Sequence, residues 1–506
     1  MTFRSATRAR CFLGALALCV CNNAVTHAQS RAAAGRPDIA AFDRYVAQGV
    51  RDWRAPGLAI AVVHGDSVIL AKGYGVLDIA KPDRVTEHTR FAIGSTTKAM
   101  TAVALGMLVD EGKLRFDDRV IDHLPDFRLY DPYVTREITV RDLLTHRSGL
   151  PSTDLMWLRA DFSADEMIRR LRYVRPASSF RAQWDYQNNV YAVAGAIIAK
   201  VSGMPWEDFV RTRIFQPLGM ADSEPLVSGI IDAPNVAVPH GIVRDTVRQV
   251  PIRTTDPVAS AGSVYSSVSD MAKWMRFVLD SGRVGTKRLL TPATFSEIVT
   301  PQIRVPLGLY PALRLARPHG FSYALGWFVQ DYQGDVVWMH TGSINGMSAI
   351  IGLLPDRRVG VFVLANLDHV ELRHALMYKV FDMYAGNAPR DWSAELRALF
   401  GRGPSAASNT PAPAPEARPS LPIEKYAGTY VDSTYGEVIV THANGVLRAR
   451  FGKQDLGTLD PWGHDAFRSL GPPPQEQRTI LTFTRDAAGN ATSVRVFGVA
   501  FTRATR

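Results

Sequence analysis

Residues 91–112 read FAIGSTTKAMTAVALGMLVDEG. A short apolar approach (Phe91, Ala92, Ile93) meets Gly94 and Ser95, and the Ala-, Met- and Leu-rich run that follows predicts a helix ending at Gly112. Ser95 falls at the start of that helix, beside its free backbone N–H groups and positive dipole end. Lys98 comes three residues later, so one helical turn sets its amine beside the Ser95 hydroxyl. This is an S-x-x-K arrangement, a serine nucleophile with a lysine able to take its proton. Alone the pattern is weak, expected about once by chance in a chain this long, because Ser-Thr-Thr before a helix is ordinary capping. Two observations add to it. Of the chain's ten lysines only Lys98 follows a serine by three. The helix is also apolar nearly all round, which predicts burial, and a lysine on a buried helix needs a reason.

Working outward, a helix is expected over 38–53, then a hairpin with strands at 58–63 and 67–75 turning at Gly65-Asp66. Residues 139–151 (TVRDLLTHRSGLP) predict a short helix stopped by Gly149 and Pro151. Further helices are expected at 164–173, 189–202, 205–214, 267–280, 291–299 and 370–385. Strands at 321–331, 335–341, 347–355 and 359–366 form an antiparallel meander. Hairpin and meander are expected to join in one sheet, since each alone leaves long unpaired edges. Residues 401–420 (GRGPSAASNTPAPAPEARPS) have the composition of a linker. Beyond them, about eight short alternating strands over 421–506 suggest a small antiparallel barrel. The expected class is α+β, an antiparallel sheet flanked by helices and carrying a helical subdomain, followed by the all-β barrel.

Composition narrows function. The chain has 506 residues, 46% apolar and 21% charged, as in an ordinary soluble globular protein. Residues 1–28 resemble a cleaved export signal: Arg4, Arg8 and Arg10, an apolar core too short to span a bilayer, then Thr26-His27-Ala28. The main folded part is expected over 29–400, in the periplasm or outside the cell. All three cysteines lie in that leader, so the remaining chain has no thiol chemistry and no disulfide. Three of the 58 Lys and Arg and none of the 48 Asp and Glu lie there, so the formal charge falls from +10 to +7. The basic residues are scattered among acids, without a nucleic-acid motif. No H-E-x-x-H, P-loop or G-x-S-x-G is present, so neither a metal nor another cofactor is expected.

Two further stretches give Ser95 its weight. Tyr186-Gln187-Asn188 opens the helix at 189–202 and is the only Y-x-N among sixteen tyrosines. His340-Thr341-Gly342 ends an apolar strand. Each alone reads as a cap or a strand end, but the ordered set S-x-x-K, Y-x-N, H-T-G is specific. With these motifs the chain resembles the penicillin-recognising serine hydrolases. It is nearest the class C branch of β-lactamases, D-alanyl-D-alanine carboxypeptidases, D-aminopeptidases and esterases. LLTHRSGL (143–150) and AGSVYSSVSDMAKWM (261–275) extend the resemblance over about 40–395, and the C-terminal part resembles an appended lipocalin-like barrel. The resemblance implies Ser95 as acylated nucleophile, Lys98 as its base and Tyr186 as proton relay to the leaving group. Asn188 would hold Lys98 or the substrate amide. The oxyanion would rest on the backbone N–H groups of Ser95 and Ser343, and Thr341 and Gly342 would line the substrate. His340 stands where class C β-lactamases carry lysine, which favours a peptidase or esterase acting on a small molecule or short peptide. A β-lactamase, a non-turnover penicillin or peptidoglycan sensor and a silent scaffold are the alternatives. In resembling proteins the barrel drives homo-oligomerisation or shapes access to the cleft.

Overall fold

The first hairpin forms as expected and lies inside a larger sheet. Strands β1 (Gly57–His64) and β2 (Ser67–Gly75) pair antiparallel, turning at Gly65 with φ +57°. The computed structural model describes residues 37–401, 419–470 and 478–504, residue 244 excepted. The expected leader and nearly all of the linker lie outside these residues.

On its other side β1 pairs with the last strand of the meander, Leu58 facing Ala365. The meander strands are β3 (Ile303–Arg304), β4 (Phe321–Tyr323), β5 (Phe328–Tyr332), β6 (Asp335–Ile344), β7 (Met347–Leu354) and β8 (Val359–Ala365). The eight strands run in the order β2-β1-β8-β7-β6-β5-β4-β3. Both faces of β1 are covered. Ala59, Ala61 and Val63 enter one core with the central helices, while Leu58, Ile60 and Val62 enter the other. Side chains alternate along a strand, so a strand buried on both faces reads as an unbroken apolar run. The second core is closed by α1 (Ile39–Asp52), capped by Asp38 accepting from the Ala41 N–H at 2.8 Å, and by the helices Leu372–Ala385 and Trp392–Gly401.

Two expectations change. The strand expected over 321–331 is two strands, β4 and β5, which turn on each other with Phe321 opposite Gln330. The turn holds Gly326 at φ +78°, where a Cβ would lie 2.8 Å from the Lys98 carbonyl oxygen, so the break seats the sheet against the Ser95 helix. The helix expected over 139–151 is only Val140–Thr145. It stops at His146, buried and left-handed at φ +57°, and not at Gly149. A non-glycine residue held there is a sign of local constraint and recurs at functional sites.

The C-terminal strands, from Gly428–Asp432 to Val499–Arg503, form a closed eight-stranded barrel. The eighth, Val499–Arg503, closes the ring by pairing Arg503 with Tyr430. Inward-facing Tyr426, Tyr430, Phe451, Phe467, Phe483 and Phe501 fill the interior. This core extends outward to Ala160, with Leu155 and Phe162 packed on it. Lys453 pairs with Asp161 at 2.9 Å, and the Arg159 guanidinium stacks on Phe497 at 4.9 Å. The barrel therefore sits on segment 155–162.

Candidate active site

Ser95 occupies a single tight turn, Gly94–Thr96, that leads into α2 (Thr97–Asp110). The cap of α2 is Thr96, whose hydroxyl donates to the Ile93 carbonyl at 2.9 Å. The Ser95 hydroxyl is thus not consumed in capping. Helix α2 is buried from Thr97 to Leu108, Lys98 included.

Lys98 Nζ lies 3.1 Å from Ser95 Oγ, 2.7 Å from Asn188 Oδ1 and 3.0 Å from the Ala261 carbonyl oxygen. Burial pulls its pKa from 10.5 down to about 7, against an opposing pull from the Asp154 carboxylate. The partners suit both protonation states of the amine. The ammonium donates to all three, and the neutral amine keeps its N–H groups on Asn188 Oδ1 and the Ala261 carbonyl and turns its lone pair to the Ser95 O–H. The rings of Tyr186 and Tyr191 flank Nζ at 4.7 and 5.1 Å.

Tyr186 hydrogen-bonds Ser95 through its hydroxyl, and burial holds its pKa well above the ordinary phenol value. It stays protonated at working pH. Its ring stacks at 4.3 Å on His146, whose Nδ1 accepts from the Gln187 N–H at 3.2 Å. The left-handed His146 thereby supports the Tyr186–Asn188 segment from behind.

His340 is buried beside these groups, its ring 6.5 Å from that of Tyr186. Nδ1 lies 2.6 Å from the Thr341 carbonyl oxygen, which can only accept, so Nδ1 carries the proton and Nε2 accepts from the Tyr323 hydroxyl at 2.9 Å. Burial, with Lys98 nearby, lowers its pKa to about 3. It is a neutral ring with both nitrogens engaged, not a second cation.

Strand β6 ends against the Ser95 turn. A Cβ at Gly342 would lie 1.9 Å from the Ile93 carbonyl oxygen, and one at Gly94, with φ +53°, would lie 2.8 Å from the Ser343 nitrogen. Two glycines thus let the β6 backbone at Gly342 and Ser343 pack against the Ile93–Gly94 backbone that leads into Ser95. Arg373 holds this end from behind, donating to the Gly342 carbonyl and Ser343 Oγ at 2.8 Å each. Thr341 is buried with its hydroxyl on Tyr310 at 2.8 Å, and Gly342 lies against Ile93, so it is Ser343, Ile344 and Asn345 that face the cleft.

The cleft measures about 350 Å³, with Ser95, Asn188 and Ser343 on its floor and Asp154, Trp157 and Arg159 on one wall. A larger hollow, about 740 Å³ beside Tyr130 and Phe180, holds none of these groups. Among the described residues no helix is long and apolar enough to cross a membrane, and no three metal-ligating side chains cluster.

The sequence-derived residues Ser95, Lys98, Tyr186 and Asn188 come together, with His340 one layer behind. Asp154, Tyr191, Tyr323 and the Ala261 carbonyl were not anticipated. His146 and Ala261 lie in the two extra family-like stretches, but Asp154 carried no sequence signal.

Residues 42–380 match the family described as beta-lactamase, and 412–505 match a domain of unknown function (DUF3471). The unguisins hydrolase ungD' of Aspergillus campestris is 30% identical over 430 residues, covering 79% of this chain and 77% of that one. Penicillin-binding protein 4 of Amycolatopsis lactamdurans is 29% identical, over 62% of this chain and 81% of its own. The octameric penicillin-binding protein homologue from Pyrococcus abyssi shares the fold, with a TM-score of 0.62 at 22% identity over 92% of this chain and 99% of that one. With more than half of its length inside the first match, and relatives named for hydrolysis and for penicillin binding, this chain belongs to the β-lactamase family.

Proposed function

We propose that this chain is an exported serine acyl hydrolase that forms an acyl-enzyme through Ser95 on an amide or ester, a D-amino-acid peptide or carboxylic ester above all. The observation that carries the reading is the buried Lys98 amine, 3.1 Å from Ser95 Oγ and with a pKa near 7. Neutral Lys98 takes the hydroxyl proton as Oγ bonds to the carbonyl carbon. The carbonyl oxygen becomes an oxyanion held by the Ser95 and Ser343 N–H groups. Collapse expels the leaving group, which takes the Tyr186 proton, and the proton stored on Lys98 returns to Tyr186. Water then repeats the sequence on the acyl carbon, releasing the acid and restoring Ser95.

A relative named penicillin-binding protein 4 favours a second reading, an adduct that forms with β-lactams and is released slowly. The neutral His340, where a lysine cation would assist, weighs against fast antibiotic turnover. A fluorophosphonate, which modifies an active serine irreversibly, tests for the nucleophile, and loss of a fluorescent penicillin adduct tests turnover. Rapid loss of the penicillin label marks a hydrolase, a persistent penicillin adduct a sensor, and absence of either label a scaffold. Ser95→Ala is expected to abolish labelling with an unchanged thermal midpoint. Export is checked by the N-terminus of the protein recovered outside the cytoplasm, expected near Gln29. Light scattering tests self-association, as in the octameric homologue.

A further inference from the structure

Asp154 precedes the short helix Leu155–Leu158, where an aspartate ordinarily caps. Here its side chain makes no cap bond. Its two oxygens instead accept from Asn188 Nδ2, at 3.2 and 3.1 Å, and one also accepts from Trp157 Nε1 at 3.1 Å. Asn188 likewise caps nothing on the helix it opens, Asn189–Ser202. Its amide is spent wholly between Asp154 and Lys98.

An amide side chain can be turned two ways, and the choice decides what Lys98 meets. A carboxylate only accepts, so Asp154 can face only the NH2 end of Asn188. That forces Oδ1 toward Lys98, where it takes one amine N–H at 2.7 Å. Turned the other way, Asn188 would offer a donor to Nζ and occupy the lone pair that Ser95 needs. We propose that Asp154 is a positioning residue: its carboxylate locks the Asn188 amide with Oδ1 on Lys98 and brings a negative charge to that side of the amine.

This rests on the reading of Lys98 as the base of Ser95. Besides Asp154, the groups facing the amine are the protonated phenols Tyr186 and Tyr191 and the neutral His146 and His340. The carboxylate that raises the amine's proton affinity is Asp154's.

Two variants of the full chain separate orientation from charge. Asp154→Asn removes the charge yet keeps an oxygen for Asn188 Nδ2, whereas Asp154→Ala removes both. The first readout is the titration of Lys98 by NMR on protein labelled at lysine Cε, with the signal assigned by Lys98→Arg. It needs no turnover, so it holds even if the hydrolase reading fails. The Lys98 midpoint is expected to fall by about one pH unit in both variants. The second readout is the plateau of kcat/KM on a p-nitrophenyl ester, expected within a few-fold of wild type for Asp154→Asn and down about tenfold or more for Asp154→Ala. An unmoved Lys98 midpoint in Asp154→Asn overturns the charge role. Equal plateaus in the two variants overturn the orienting role, and a loss of thermal stability with neither effect leaves Asp154 a purely structural residue.

Discussion

At the scale of single residues, the working pH range follows from one amine. Lys98 must be neutral to accept a proton, and its pKa lies near 7, so kcat/KM should fall as pH drops below 7, about tenfold per unit. His340 does not contribute to this limb, because burial keeps it neutral down to about pH 3. His340→Gln should therefore lower the rate while leaving the acid limb in place. A limb that moves in a pH series on the ester substrate would give His340 an ionising role. Ser95 and Lys98 were legible because one helical turn fixes their distance, and Tyr186 and Asn188 because their motif occurs once. Asp154 was not, since its partner Asn188 stands 34 positions away and nothing local marks the pair. Lys98 owes its low pKa to no second cation. Burial supplies the depression alone, and the nearest charge opposes it.

At the scale of elements, two backbones meet where Gly94 and Gly342 cross. Gly342→Ala puts a methyl 1.9 Å from the Ile93 carbonyl oxygen, and the strand or the Ser95 turn must shift. The expected result is a loss of about 3 kcal/mol or more in urea unfolding, together with loss of activity. Relief by a small slide of β6 would instead leave the midpoint intact. The long elements were readable from apolar runs and caps, as in β1, β7 and β8. The break at Gly326 was not, because residues 321–331 (FSYALGWFVQD) carry apolar side chains on both sides of that glycine and read as one strand. The early stop at His146 was hidden for a related reason. Glycine is the usual left-handed residue, and a histidine is held there by the surrounding rings Trp184, Tyr186, Tyr191 and Tyr323 and by the Gln187 N–H on its Nδ1.

At the scale of the whole molecule, the barrel and the cleft share segment 154–162. Its outward side chains, Leu155, Ala160 and Phe162, lie on the barrel core, and its inward ones, Asp154, Trp157 and Arg159, wall the cleft. Phe497→Ala removes the ring under Arg159 and is expected to raise KM several-fold with kcat changed less than twofold, since the wall loosens while Ser95 and Lys98 stay in place. Equal loss of kcat would mean that the barrel bears on the chemistry itself. The presence of the barrel could be read from its short alternating strands and the Pro/Ala-rich stretch before them. Where it sits could not, because that depends on a few contacts between remote loops. The join of β1 to β8 was within reach, since an unpaired edge on either strand set is untenable. The meeting of Gly94 and Gly342 bears on how such an enzyme can change. In the proposed reaction the oxyanion is held by main chain, which leaves side-chain replacement almost no purchase there, so new specificities in descendants or in directed evolution should accumulate on the 154–162 wall and at Arg253 and His369, which also line the cleft, while the reaction centre stays constant.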